Sequence, residues 1–200
     1  MVKTLETNAS YEPCKRSLNW LKLKKDYMEG MTDSVDLVPV GAWFGKGKRT
    51  GTFGAYLMAC FEADDEEFQA ITKVGTGFSD EFLAEATKFF KDNEYVREKP
   101  PMNVVPPTSL VPDVWLEPAQ VWEVKAADLS ISPAYRAAVG HVDPAKGIAL
   151  RFPRFLRIRD DKNPEHATNS EQIAQMYRDQ GNVGSGGAGG GHVSDDDMLY

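Results

Sequence analysis

Residues 34–44 read SVDLVPVGAWF, and residues 54–61 read GAYLMACF. Their short-period apolar patterning predicts two strands, joined by a turn of glycines and cations, Gly45-Lys46-Gly47-Lys48-Arg49. Residues 68–74 predict a third strand, and residues 120–125 and 147–159 two more. Gly75-Thr76-Gly77 and the proline-rich residues 100–112 punctuate these runs. Pro39 and Pro153 demote their own runs to edge or bulged strands. Residues 80–92 place Phe82, Leu83, Ala86, Phe89 and Phe90 on one stripe, with Ser79 as N-cap and acids in the first turn, which predicts a helix. Thr168-Asn169-Ser170-Glu171 has the form of a capping box and opens a second helix through Ile173, Met176 and Tyr177 to about Gln180. The whole predicts a mainly β protein with short helices, built on a small Greek-key barrel of the OB type. The first 25 residues, basic and strand-like, fall outside such a barrel.

The composition is that of a globular protein, with 200 residues, 42% apolar and 26% charged. Apolar stretches such as residues 55–61 are too short to span a bilayer, and no basic-then-apolar segment opens the chain, so neither membrane insertion nor secretion is expected. Cys14 and Cys60 cannot make a disulfide framework or a zinc site and are expected as free thiols in a reducing compartment. Taken as a sum, the net charge of -7 argues against nucleic acid. Its distribution argues otherwise, because the acids concentrate in residues 62–67 and 195–197. The last twenty residues hold no Lys or Arg and seven of the 17 glycines, so 181–200 is expected to be a disordered tail.

Three basic segments remain. In Trp20-Leu21-Lys22-Leu23-Lys24 the alternation sends Lys22 and Lys24 to one face, where an anion between the two ammonium groups would relieve their repulsion; a solvated strand face is the plainer alternative. The loop of Lys46, Lys48 and Arg49 lets amides and cations approach a phosphate backbone, or is a flexible polar hairpin, and it lacks P-loop spacing. Residues 151–162, RFPRFLRIRDDK, interleave cations with Phe152 and Phe155, and alternation sends Arg157 and Arg159 to one face and Leu156 and Ile158 to the other. Such a mixture suits nucleic acid, although both phenylalanines are by type core residues. His141, His166 and His192 are scattered, so no metal site is expected, and Cys60 sits in an apolar run. Glu123 and Asp128 flank Lys125 as a candidate local salt-bridge network.

In order along the chain, MVKTL (1–5), NWLKLKKDY (19–27), VWEVKAADLS (121–130) and residues 151–162 resemble the C-terminal motifs of eukaryotic ATP-dependent DNA ligases of the replicative type. The resemblance runs to about Gln180 and extends to the acidic tail. It implies three parts: residues 1–26 as the end of an adenylation domain, 27–180 as an OB domain and 181–200 as the tail. It implies that Lys22 and Lys24 contact nucleotide phosphates. Arg159, Asp161 and Lys162 match an Arg-x-Asp-Lys motif that closes over ATP and orients pyrophosphate during enzyme adenylation. Arg151 and Phe152 match minor-groove contacts near a nick, and Lys46, Lys48 and Arg49 match a loop that grips the DNA backbone. A hinge after Lys25 would let one OB domain serve both steps.

The family's nucleophile lies in a Lys-x-Asp-Gly motif, which occurs nowhere in these 200 residues. The chain is therefore expected to be part of a longer enzyme, inactive alone. The resemblance further implies ATP and Mg2+ as cofactors of the full-length enzyme, with neither bound tightly here. Implied partners are nicked duplex DNA and the enzyme's own adenylation and DNA-binding domains, acting as a monomer in the nucleus in replication, repair and recombination. Two other readings are a stand-alone OB-type DNA-binding module and a fragment of an mRNA capping guanylyltransferase, the latter matching residues 19–27 and 151–155 less closely.

Overall fold

A computed structural model describes residues 2–7, 9, 19–21 and 34–180. Lys22, Lys24, the expected hinge and residues 181–200 lie outside the described residues. Near the start, β1 (Val2–Lys3) and β2 (Trp20–Leu21) pair antiparallel, with the Lys3 ammonium 4.2 Å from the Trp20 ring centroid.

The fold is organised by β3 (Ser34–Phe44), the strand predicted with those bounds. Its first half pairs with β9 (Trp122–Lys125), from Ser34↔Lys125 to Leu37↔Trp122. Its second half pairs with β4 (Phe53–Glu62) on one edge and β8 (Val114–Leu116) on the other. The register with β4 slips between Pro39 and Gly41. Proline has no N–H for the ladder, so the strand bulges and turns there, which lets one strand serve two sheets. The run that Pro39 was expected to demote is thus bulged but central. A Cβ on Gly41 would lie 2.8 Å from Pro112 Cγ, so the bend also needs a residue without a side chain.

β4 pairs with β5 (Glu67–Val74), which carries β7 (Val104–Val105) in parallel, and β6 (Val96–Arg97) pairs with β8. β10 (Asp128–Ser132) and β11 (Gly147–Arg151) form a separate antiparallel pair, while β12 (Arg154–Ile158) pairs with β9. The Thr72 hydroxyl donates to the Leu150 carbonyl, and the Phe155 N–H donates to the Thr76 carbonyl at 3.0 Å. These links join β5 to β11 and β12 and curl the sheet into the expected barrel.

The one strand expected over 147–159 is two, β11 and β12, broken at Phe152-Pro153. The short strands β6, β7, β8 and β10 were not anticipated, since runs of two to five residues are held by their neighbours rather than by their own pattern.

Helix α1 (Asp80–Asp92) is capped by Ser79, which accepts from the Phe82 N–H, and buries Leu83, Ala86, Thr87 and Phe90. Helix α2 (Ser170–Asp179) starts one residue later than expected, with Asn169 and Gln172 as its capping box. The reason is that Thr168 is engaged elsewhere: its hydroxyl accepts from the Asp36 N–H. Fully buried Trp122 centres the core, with Tyr56, Phe82 and Phe155 ring centroids 4.7, 5.3 and 5.3 Å away. Cys60 is fully buried, and burial pushes its thiol up to about 12, which removes the thiolate that a nucleophile would need. Among the described residues no helix is long and apolar enough to cross a membrane.

Candidate functional site

The two candidate sites sit at opposite ends of β12. At its C-terminal end the Arg159 N–H donates to the Val121 carbonyl at 2.7 Å, and the Lys162 N–H donates to the Arg159 carbonyl at 3.2 Å. That tight turn brings together Arg159, Asp161 and Lys162, the three residues that the resemblance grouped in one motif. They converge on a residue that sequence reasoning passed over, Asp36 of β3. Arg159 Nη1 donates to both Asp36 oxygens, at 2.8 and 3.1 Å, and Lys162 Nζ to Asp36 Oδ2 at 2.7 Å. The other edge of the guanidinium grips Asp161 in a two-point fork, Nε to Oδ1 at 2.8 Å and Nη2 to Oδ2 at 2.7 Å.

The two carboxylates differ in setting. Asp36 is 8% exposed, and its backbone is fixed on both sides, its N–H donating to the Thr168 hydroxyl and its carbonyl accepting the Thr168 N–H. The Asp161 side chain is 62% exposed against 19% for Arg159. Hydrogen bonding from Arg159 holds the Asp161 carboxyl far below the usual carboxylate range, and the Asp161 carboxylate in turn raises Arg159. A phosphate offers oxygens to the same guanidinium edge that Asp161 fills. The outer side of Arg159 can therefore exchange one anion for another, while its inner side stays on Asp36.

Beside this cluster, Glu123 accepts from Ser34 Oγ at 2.8 Å and Arg157 Nε at 2.7 Å. Its hydrogen bonds thus run to Ser34 and Arg157, whereas the sequence grouped it with Lys125. The expected alternation of β12 fails here for a clear reason. Its register with β9 jumps from Phe155↔Val124 to Arg157↔Glu123, so a bulge at Leu156 leaves both Leu156 and Arg157 exposed. Ser34 and then Arg157 hold the Glu123 carboxyl below its ordinary value. A depressed folded pKa stabilises the protein above the unfolded value and loses that contribution as pH falls through the folded one. We expect the urea midpoint of the chain to fall between pH 5 and pH 3, and Glu123→Gln to flatten that slope. An identical slope in the variant would contradict the assignment.

At the N-terminal end of β12 the chain turns at Phe152-Pro153. Phe152 has φ +51 and is 48% exposed, while Pro153 and Phe155 are buried. The two phenylalanines, both core residues by type, part here: Phe155 enters the core and Phe152 faces outward, with the Arg151 guanidinium 5.5 Å from its ring centroid. The turn is braced from below by Thr76, whose hydroxyl donates to the Pro153 carbonyl at 2.9 Å. Gly77 lies so close that a Cβ there would stand 2.3 Å from the Phe155 carbonyl oxygen.

The loop of Lys46, Lys48 and Arg49 is joined to the same region. Arg49 Nε donates to Asp80 Oδ1 at 2.8 Å, and Lys48 Nζ lies 3.3 Å from Asp80 Oδ2, at the start of α1. The five residues from Thr76 to Asp80 therefore connect the braces of both basic segments. Asp80 offsets part of the loop's charge, and Lys46 is exposed. The acidic turn after Glu62 lies at the other end of β4, about 30 Å of strand away.

The family described as ATP dependent DNA ligase C terminal region matches residues 49–162. The chain belongs to this ligase family. It is 60% identical over 180 residues to DNA ligase 1 of Dictyostelium discoideum, covering 90% of this chain and 15% of that protein. It is 52% identical over 200 residues to DNA ligase 1 of Drosophila melanogaster, covering 100% of this chain and 26% of that one. The chain thus spans about a quarter or less of the length of these relatives. Its fold is similar to that of the ligase domain of LigD from M. tuberculosis, with a TM-score of 0.53 at 23% identity over 80% of this chain and 45% of that one. The family match takes in Arg49, Arg151, Phe152, Arg159, Asp161 and Lys162, while Asp36, Lys46 and Lys48 lie before it.

Proposed function

We propose that this chain works as the C-terminal part of an ATP-dependent enzyme that seals nicks in duplex DNA through enzyme–AMP and DNA-adenylate intermediates. The observation that carries this reading is the division along β12: an anion-ready Arg159-Asp161-Lys162 cluster at one end of this five-residue strand, and an outward Arg151-Phe152 pair beyond the other. Phosphoryl transfer asks little of a protein beyond positioning and charge stabilisation, which a guanidinium and an ammonium on a fixed carboxylate supply. In this reading Arg159 and Lys162, together with Lys22 and Lys24, meet the nucleotide phosphates. ATP and magnesium are the cofactors, and the attacking lysine comes from an adenylation domain outside these residues. Lys46, Lys48, Arg49, Arg151 and Phe152 meet the DNA. Residues 27–180 are the OB domain, after the adenylation-domain end (1–26) and before the tail (181–200), in a monomeric nuclear enzyme.

Two expected results follow directly. The purified 200-residue chain forms no lysine–AMP adduct with ATP and magnesium, because it carries no Lys-x-Asp-Gly sequence. An adduct on this chain would overturn the assigned division of labour. In the full-length polypeptide, Arg151→Ala weakens binding to nicked duplex and lowers the salt dependence by about one unit of slope. Phe152→Ala weakens it with the slope unchanged, since an apolar wedge releases no counterions. Both side chains are exposed, so thermal melting should not move. Unchanged binding in both variants would remove the DNA assignment for this turn.

A further inference from the structure

Arg159 and Lys162 can serve a nucleotide only if something holds them while the outer edge of Arg159 exchanges partners. Asp36 lies 123 residues before Arg159, outside the segment that the family match covers, and its carboxylate takes three hydrogen bonds from the two cations. We infer that Asp36 is a positioning residue for nucleotide-dependent adenylation, acting through Arg159 and Lys162, an inference that rests on the reading in Proposed function. Burying a carboxylate is costly unless cations compensate it, and an apolar side chain commonly stabilises such a place as well or better. Stability alone therefore gives weak reason for Asp36 in a strand whose neighbours are Val35 and Leu37. Geometry gives a better one. The Asp161 carboxylate faces solvent and can leave; Asp36 is buried, and Thr168 holds its backbone N–H and carbonyl in place, so its carboxylate stays. It fixes the guanidinium by one nitrogen and leaves the opposite edge free to turn from Asp161 to phosphate.

The test uses the full-length polypeptide with Asp36→Asn, which keeps the size and removes the charge. Enzyme–AMP formation is followed against ATP concentration, and sealing of a nick that already carries AMP is followed separately. We expect adenylation at saturating ATP to slow about 10- to 100-fold, the scale of a misplaced reacting group. Sealing of the adenylated nick should stay within about twofold of the parent, and Asp36→Asn added to Arg159→Ala should slow adenylation by a smaller factor than it does in the parent, since only its hold on Lys162 is left to lose. Parallel loss of both steps, an unchanged adenylation rate or a multiplicative double variant would each overturn the inference. If Asp36→Asn does not fold, Thr168→Val, which loosens the clamp and keeps the carboxylate, should show a smaller loss confined to adenylation; equal losses in both steps there would overturn it too. A parent protein that forms no enzyme–AMP would instead defeat the broader reading.

Discussion

Arg159→Ala in the full-length polypeptide slows enzyme–AMP formation by about 100-fold or more, the scale for losing one preorganised donor to a developing phosphate charge. The side chain commits its inner nitrogen to Asp36 and its outer edge to Asp161, and it is only 19% exposed. Truncation removes the edge that would receive a phosphate and also strips Asp36 of one of two cations. Some loss of stability therefore accompanies the chemical loss, because a buried carboxylate left partly unpaired is unfavourable. The two effects separate by step. A nick already bearing AMP needs no ATP, so its sealing should fall far less than enzyme–AMP formation. Rapid labelling by ATP in the variant would show that Arg159 has no part in the nucleotide step.

Gly77→Ala is expected to be the most damaging small substitution in the barrel. Gly77 has φ +94, a conformation that costs a side-chain-bearing residue on the order of 1–3 kcal/mol. Its added Cβ would also stand 2.3 Å from the Phe155 carbonyl oxygen, 2.8 Å from the Phe155 nitrogen and 2.9 Å from Arg154 Cγ. Two of those atoms are backbone, so relief requires β12 itself to move, together with the Thr76–Pro153 and Thr76–Phe155 hydrogen bonds. Gly47 is the control: it has φ +61 but nothing within 4 Å of a built Cβ, so Gly47→Ala carries the dihedral cost alone. Denaturant melts should rank Gly77→Ala well below Gly47→Ala, and Gly77→Ala should lose affinity for nicked DNA as the Phe152 turn shifts. Equal midpoints for the two variants would show that the close approach at Gly77 is not a constraint.

These features were unequally legible in the sequence. The bounds of β3 and α1 were visible because their signals are local: an apolar run with a proline bulge, and an amphipathic stripe behind a serine cap. Arg159, Asp161 and Lys162 were singled out by the resemblance, through a motif contained within four residues. Asp36 was not, since one acid in an apolar strand says nothing about a cation 123 residues later. The N-cap of α2 was misplaced by one residue for a related reason, because Thr168 spends its hydroxyl on the same Asp36. The bulge at Leu156, which turns Arg157 and Leu156 out together, depends on the register with β9 and leaves no trace in the alternation of β12 itself. The opposite fates of Phe152 and Phe155 likewise follow from the brace of Thr76 and Gly77, contributed by a distant turn.

The division of labour along β12 is tested most directly by measuring two steps on two variants of the full-length polypeptide. Enzyme–AMP formation from ATP and binding to a nick that already carries AMP are compared for Arg159→Ala and Phe152→Ala. A crossed pattern is predicted, with Arg159→Ala losing the first and largely keeping the second, and Phe152→Ala doing the reverse. Loss of the same step in both variants would contradict it, because the two ends of the strand would then serve one site.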